Sequence, residues 1–156
     1  MSTLDLGIIG NCTFAALIDR QASIVWCCLP RFDGDPVFAA LLKGTDPTDS
    51  LFRIELQGYT GSEQSYVPNT AVIRTVLHSS EGSIEIIDFA PRFYWRDRIF
   101  RPQTLVRRVR RLSGAPRVKI ILKPTFDYGA VSPSITRGSN HVRYTGPDFT
   151  LRLTTD

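Results

Sequence analysis

Charged and aromatic side chains gather at three places in this chain where an apolar run gives way to turn-forming residues. The first is Leu29-Pro30-Arg31-Phe32-Asp33, where a proline with no N–H to donate ends a β-branched and aromatic run. Arg31 and Asp33 offer donors and an acceptor to a polyhydroxylated ligand; equally, they can pair with each other or cap a following helix. The second is Asp88-Phe89-Ala90-Pro91-Arg92-Phe93-Tyr94-Trp95-Arg96-Asp97, a strand running through a proline into a loop with three aromatics between arginines. Ring faces beside hydrogen-bonding groups suit the apolar C–H faces and polar rims of sugars, and also the stacked bases of a single strand. Trp and Tyr equally anchor protein contacts, so Arg92, Phe93 and Trp95 are candidates for a substrate contact or a docking face, with docking preferred. The third is Pro124-Thr125-Phe126-Asp127-Tyr128-Gly129, where Asp127 and Tyr128 close a well-patterned strand. Asp127 could bond a ligand hydroxyl, although an Asp in a turn more often accepts from local backbone N–H groups.

No catalytic constellation accompanies these residues. The chain has no G-x-S-x-G elbow, no phosphate-cradling glycine loop and no cysteine with an evident base. Glycosidic cleavage needs two carboxylates at a fixed separation, one held in an apolar pocket, and Glu55, Glu63, Glu81 and Glu85 fall on strand faces or turns. His78 and His141 are the only histidines, neither at a metal-ligand spacing with cysteine, so no metal and no cofactor are expected. Cys27 and Cys28 are adjacent and point to opposite strand faces, so at most one can face Cys12. Reduced, buried thiols in a cytoplasmic setting are the expectation. The formal charge of +4 comes from sixteen arginines against three lysines, eight of those arginines lying between positions 92 and 111. With Asp88 and Asp97 nearby, this run suits carboxylate pairing inside the protein better than a nucleic-acid footprint.

The elements that must position these residues are short. Apolar content of 42% and charge content of 22% over 156 residues fit one globular domain, 1–156, with a core of its own. No apolar run approaches the length that spans a bilayer, and the first ten residues lack the features of a secretory signal. Strands are expected over 14–18, 23–29, 51–57, 70–79, 83–89, 103–112, 116–123, 140–145 and 149–154, from period-two alternation between turn signals. Residues 23–29 read as buried on both faces, and a short helix is expected at 37–42 after Gly34-Asp35-Pro36, followed by a loop over 43–50. Residues 19–22, Ser80-Glu81-Gly82, Ser113-Gly114-Ala115 and Gly146-Pro147-Asp148 read as hairpin connections. In the strand at 116–123, Val118, Ile120 and Leu122 should face the core. Regular short strands with one brief helix define an all-β antiparallel sandwich. A chain whose last residues follow directly on a strand reads as one cut from something longer, with a natural terminus pinned in a sheet as the alternative.

Five ordered blocks carry a resemblance. Ile9-Gly10-Asn11 with Ala15-Ala16-Leu17-Ile18, residues 23–33 with Val37-Phe38-Ala39-Ala40-Leu41-Leu42, and then Asp88-Phe89-Ala90-Pro91-Arg92, Val106-Arg107-Arg108-Val109 and Phe126-Asp127-Tyr128-Gly129 resemble the opening of bacterial glycoside hydrolase family 15 proteins, the glucoamylase-like and trehalase-like enzymes. The resemblance implies a supersandwich-like N-terminal domain packed on an (α/α)6 barrel that this chain lacks. It places the catalytic glutamates on that barrel, which would cleave α-glucosidic bonds with inversion. The implied partners are that C-terminal barrel and an α-glucan or trehalose; the charge pattern and the short apolar runs argue against a nucleic-acid or membrane partner. A homodimer through the exposed docking face is also open.

Overall fold

The computed structural model describes residues 4–42 and 50–156. Its core is built between two antiparallel sheets. The larger contains β1 (Gly7–Gly10), β2 (Ala15–Ile18), β3 (Ile24–Cys28), β4 (Pro36–Ala39), β5 (Leu51–Leu56) and β12 (Val118–Lys123), ordered β1-β2-β3-β5-β12 with β4 also on β3. The smaller contains β6 (Tyr59–Tyr66), β7 (Ile73–Ser79), β8 (Gly82–Phe89) and β11 (Val106–Gly114), ordered β11-β8-β7-β6. Side chains from the two inner faces interleave: Ile9, Ile18, Ile24, Ile54 and Leu56 from one sheet meet Ile73, Leu77, Ile84 and Ile86 from the other. A hairpin of β9 (Phe93–Trp95) and β10 (Arg98–Phe100) and a meander of β13 (Ser134–Arg137), β14 (His141–Thr145) and β15 (Thr150–Thr154) complete the strands. The expected all-β sandwich is what the chain forms, and β3 is the buried strand its composition suggested.

The hairpin at residues 19–22 forms, closed by Asp19: its Oδ1 accepts from the Gln21 and Ser23 amides and its carbonyl from Ala22. Ser80-Glu81-Gly82 and Gly146-Pro147-Asp148 likewise join β7 to β8 and β14 to β15.

Three expectations are corrected. The helix at 37–42 is absent: Pro36–Ala39 is a strand on β3, with Val37, Phe38 and Ala39 all buried, followed by turn residues 40–42. A run this short gains little from helix formation, whereas as a strand it donates Ala39 N–H to the Ser50 carbonyl and accepts Thr125 N–H at Val37. The loop expected over 43–50 lies, apart from Ser50, outside the described residues.

Ser113-Gly114-Ala115 does not close a hairpin. β11 ends along β8, and β12 pairs with β5 in the opposite sheet. The cause is a close approach at Gly114, whose φ is +65° and whose absent Cβ would lie 2.1 Å from the Glu81 carbonyl. Ala115 then donates to that carbonyl at 3.0 Å, and Pro116, lacking an N–H, takes the chain across to the other sheet. Val118 and Ile120 do sit on the inward side of β12, but they are exposed. β12 is an edge strand, and only Leu122 reaches the core.

Candidate functional site

All three selected blocks lie at one end of the larger sheet. Gly10 pairs with Ala15, and Ala16 with Cys27, so the row that ends β1 continues through β2 to the end of β3. The β1–β2 turn and the β3–β4 connection therefore leave the sheet side by side. β12 runs antiparallel to β5 and delivers Phe126 and Asp127 to the same end, where Leu29, Pro30, Asp35, Phe126, Asp127 and Asp148 line part of a cleft of about 420 Å³.

At the first block, Arg31 donates from Nη2 to Asp33 Oδ2 at 2.8 Å, with both side chains mostly in solvent. The pairing alternative holds and capping does not, since no helix follows. At the third block, Asp127 and Tyr128 adopt φ values of +48° and +51°. Two consecutive non-glycine residues in the left-handed region cost energy, and they hold both exposed side chains outward over the buried Phe126. Asp35, Asp127 and Asp148 are all exposed, so none has the apolar enclosure that a general acid needs. A second cleft, of about 450 Å³, is lined by one carboxylate, Glu55, which pairs with Arg53 and Lys119.

The second block is where sequence reasoning fell furthest short. Residues 93–100 are not a loop but a two-stranded hairpin, turning at Arg96 and Asp97 with φ +48° and +59°. Phe93 and Phe100 stack at 5.7 Å, and Arg96 sits 5.9 Å from the Trp95 ring. The hairpin's base is tied down by Asn11, which is 1% exposed. Its Nδ2 donates to the Pro91 carbonyl at 3.0 Å and to the Pro102 carbonyl at 2.8 Å, while Oδ1 accepts Thr13 N–H. Arg92 adds a contact from Nη1 to Cys12 Sγ at 3.4 Å. The Gly10-Asn11 pair signals a turn, but nothing local reveals that the amide clamps positions 80 and 91 residues away.

Carboxylate pairing inside the protein, the expected use of the arginines, is realised most fully at Arg107. Its Nε and Nη2 meet Asp88 at 2.8 and 3.1 Å, with side-chain exposures of 3% and 0%. Nη1 donates to the Phe52 carbonyl at 2.9 Å, Nη2 also reaches the Ala22 carbonyl, and the guanidinium lies over the Phe52 ring. Burial pushes the Asp88 carboxyl up, and Arg107 pulls it back toward the charged form. On the outer face of β8, Glu85 takes Arg74 at 2.7 Å and Arg110 at 2.8 Å, and these partners hold its carboxyl below the usual range. The three cysteines are free, but the expected burial holds only for Cys27: Cys12 is exposed and Cys28 half-buried, and burial, followed by the neighbouring Cys28, pushes the Cys27 thiol up to about 12.

The fold and this end of it define an antiparallel sandwich domain that presents a braced aromatic hairpin and, at the same end of the larger sheet, a cleft with aspartates in its lining. The family model described as trehalase-like, N-terminal, matches residues 4–155, and the chain belongs to that family. Trehalase 1 of Sulfolobus acidocaldarius is 35% identical over 91% of this chain and 23% of its own length. A trehalase of Mycolicibacterium smegmatis is 28% identical over 97% of the chain and 26% of its own length, and one of Mycobacterium tuberculosis is 27% identical over 97% and 25%. The chain thus spans about a quarter of the curated relatives it matches. No solved structure matches it significantly. The kinship drawn from the sequence blocks is met at the level of the trehalase-like N-terminal family.

Proposed function

We propose that this chain is the non-catalytic N-terminal domain of a cytoplasmic trehalase-like enzyme of glycoside hydrolase family 15 type. It packs on the helical barrel that breaks the α-glucosidic bond. The observation that carries this reading is the β9–β10 hairpin, fixed at its base by a buried amide yet exposing Phe93, Tyr94, Trp95, Ile99 and Phe100. Soluble domains rarely leave so many large apolar side chains of one short hairpin uncovered unless something docks there. The relatives supply the context, since about three quarters of each lies outside the matched length. The purified 156-residue chain is expected to hydrolyse neither trehalose nor maltose, and the longer polypeptide encoded with it to hydrolyse one of them. Turnover by the isolated chain overturns the assignment of the chemistry to a partner domain.

The same aromatics support a second reading, an α-glucan contact by Phe93 and Trp95. Maltooligosaccharide titration followed by Trp fluorescence separates the two, because a docking face gives no saturable change.

A further inference from the structure

The β9–β10 hairpin has two faces, and both carry large exposed apolar side chains. Cross-strand partners share a face, so Phe93, Phe100, Trp95 and Arg98 lie on one side and Tyr94 and Ile99 on the other. Trp95 is 57% exposed on the first side and Tyr94 77% on the second. A hairpin that only lay on a partner's surface would need one apolar face and would keep the other polar, as half-buried antiparallel strands do. A lone two-stranded ribbon is also marginally stable in water, and this one pairs with no other strand of the described residues. Arg98, at the Trp95 end of the first face, joins Arg92, Arg96 and Arg101 against a single carboxylate in this segment, Asp97.

From this we infer that the hairpin is an insertion arm. It enters an apolar groove with acidic rims, so that both faces become buried at once and the arginines meet carboxylates at the groove's edges. The groove belongs to the remaining length of the polypeptide, the part that makes the curated relatives about four times longer than this chain. That ownership rests on the domain assignment above; the burial of both faces does not.

Hydroxyl-radical footprinting tests it on two samples, the 156-residue chain and the longer polypeptide its gene encodes, with oxidation read at single residues by mass spectrometry. Tyr94 on one face and Phe93 and Trp95 on the other are expected to be oxidised readily in the short chain. In the long one all three should be protected several-fold. Protection of one face alone overturns insertion while leaving docking intact. Protection of neither face, or a gene that encodes nothing beyond Asp156, overturns both the arm and the docking reading. Concentration-dependent protection of both faces in the short chain alone assigns the groove to a second copy and overturns its ownership by the same polypeptide.

Discussion

Glu85 shows how the arginine excess is used one residue at a time. It sits on the outer face of the smaller sheet, directly opposite Val76 and Arg110, with Arg74 two residues along the neighbouring strand on the same face. Two guanidiniums within 3 Å favour its ionised form, and the covering they provide leaves the residue buried. A carboxyl depressed in the folded state contributes stability that is fully present above its unfolded pKa, about 4.3, and is lost as pH falls through the folded value. Glu85→Gln is therefore expected to flatten the acid limb of stability, measured as urea midpoints stepped downward from pH 6. Near neutrality it should destabilise, because two arginines lose their partner. A variant whose acid limb matches the parent's, point for point, refutes this role. The pairing of arginine with acid was legible from composition; the choice of Glu85 was not, because cross-strand partners 11 and 25 residues away depend on register.

Among the elements, legibility followed the range of the forces. Period-two runs gave β5, β7, β8 and the inward side of β12, because alternation is fixed by backbone geometry alone. The turn at Ser80-Glu81-Gly82 was equally local. What failed was set at a distance: Pro36–Ala39 became a strand because β3 and Ser50 offered it partners, and β11 and β12 separated because Gly114 packs on β8. The aromatic segment was legible as a candidate contact but not as a hairpin, since its brace comes from Asn11. Asn11→Ala removes both donations to Pro91 and Pro102 and strands two carbonyls near the core. A cost of about 1–3 kcal/mol is expected, with hydrogen exchange across β9 and β10 accelerated more than exchange in β8. Asn11→Asp keeps the bond to Thr13 but presents oxygens to two carbonyls, so it should be no better than alanine. Unchanged protection of the hairpin amides would remove Asn11 from this role.

For the molecule as a whole, the decisive question is what holds two sheets of modest size together. Apolar packing between them does most of this, non-directionally. Directional polar ties join them as well, and the most buried ion pair among the described residues supplies one: Arg107 leaves the smaller sheet, pairs with Asp88 beside it, and donates to carbonyls at Phe52 in β5 and Ala22 at the β2–β3 turn. The ion pair itself need not favour folding, since desolvating two charges offsets much of their attraction. Its removal by halves is another matter, because the surviving charge stays buried without a partner. Arg107→Met is expected to cost about 3–5 kcal/mol in urea unfolding. The double variant Asp88→Leu with Arg107→Met leaves no buried charge at this site and should recover part of that loss. It should still fall short of the parent by about 1–3 kcal/mol, the cost of leaving the Ala22 and Phe52 carbonyls unbonded. A single variant that loses no more than about 0.5 kcal/mol, the range of ordinary surface substitutions, would show that Arg107 does not tie the sheets. A double variant no better than the single would show that the carbonyls, and not the Asp88 charge, account for what Arg107 contributes.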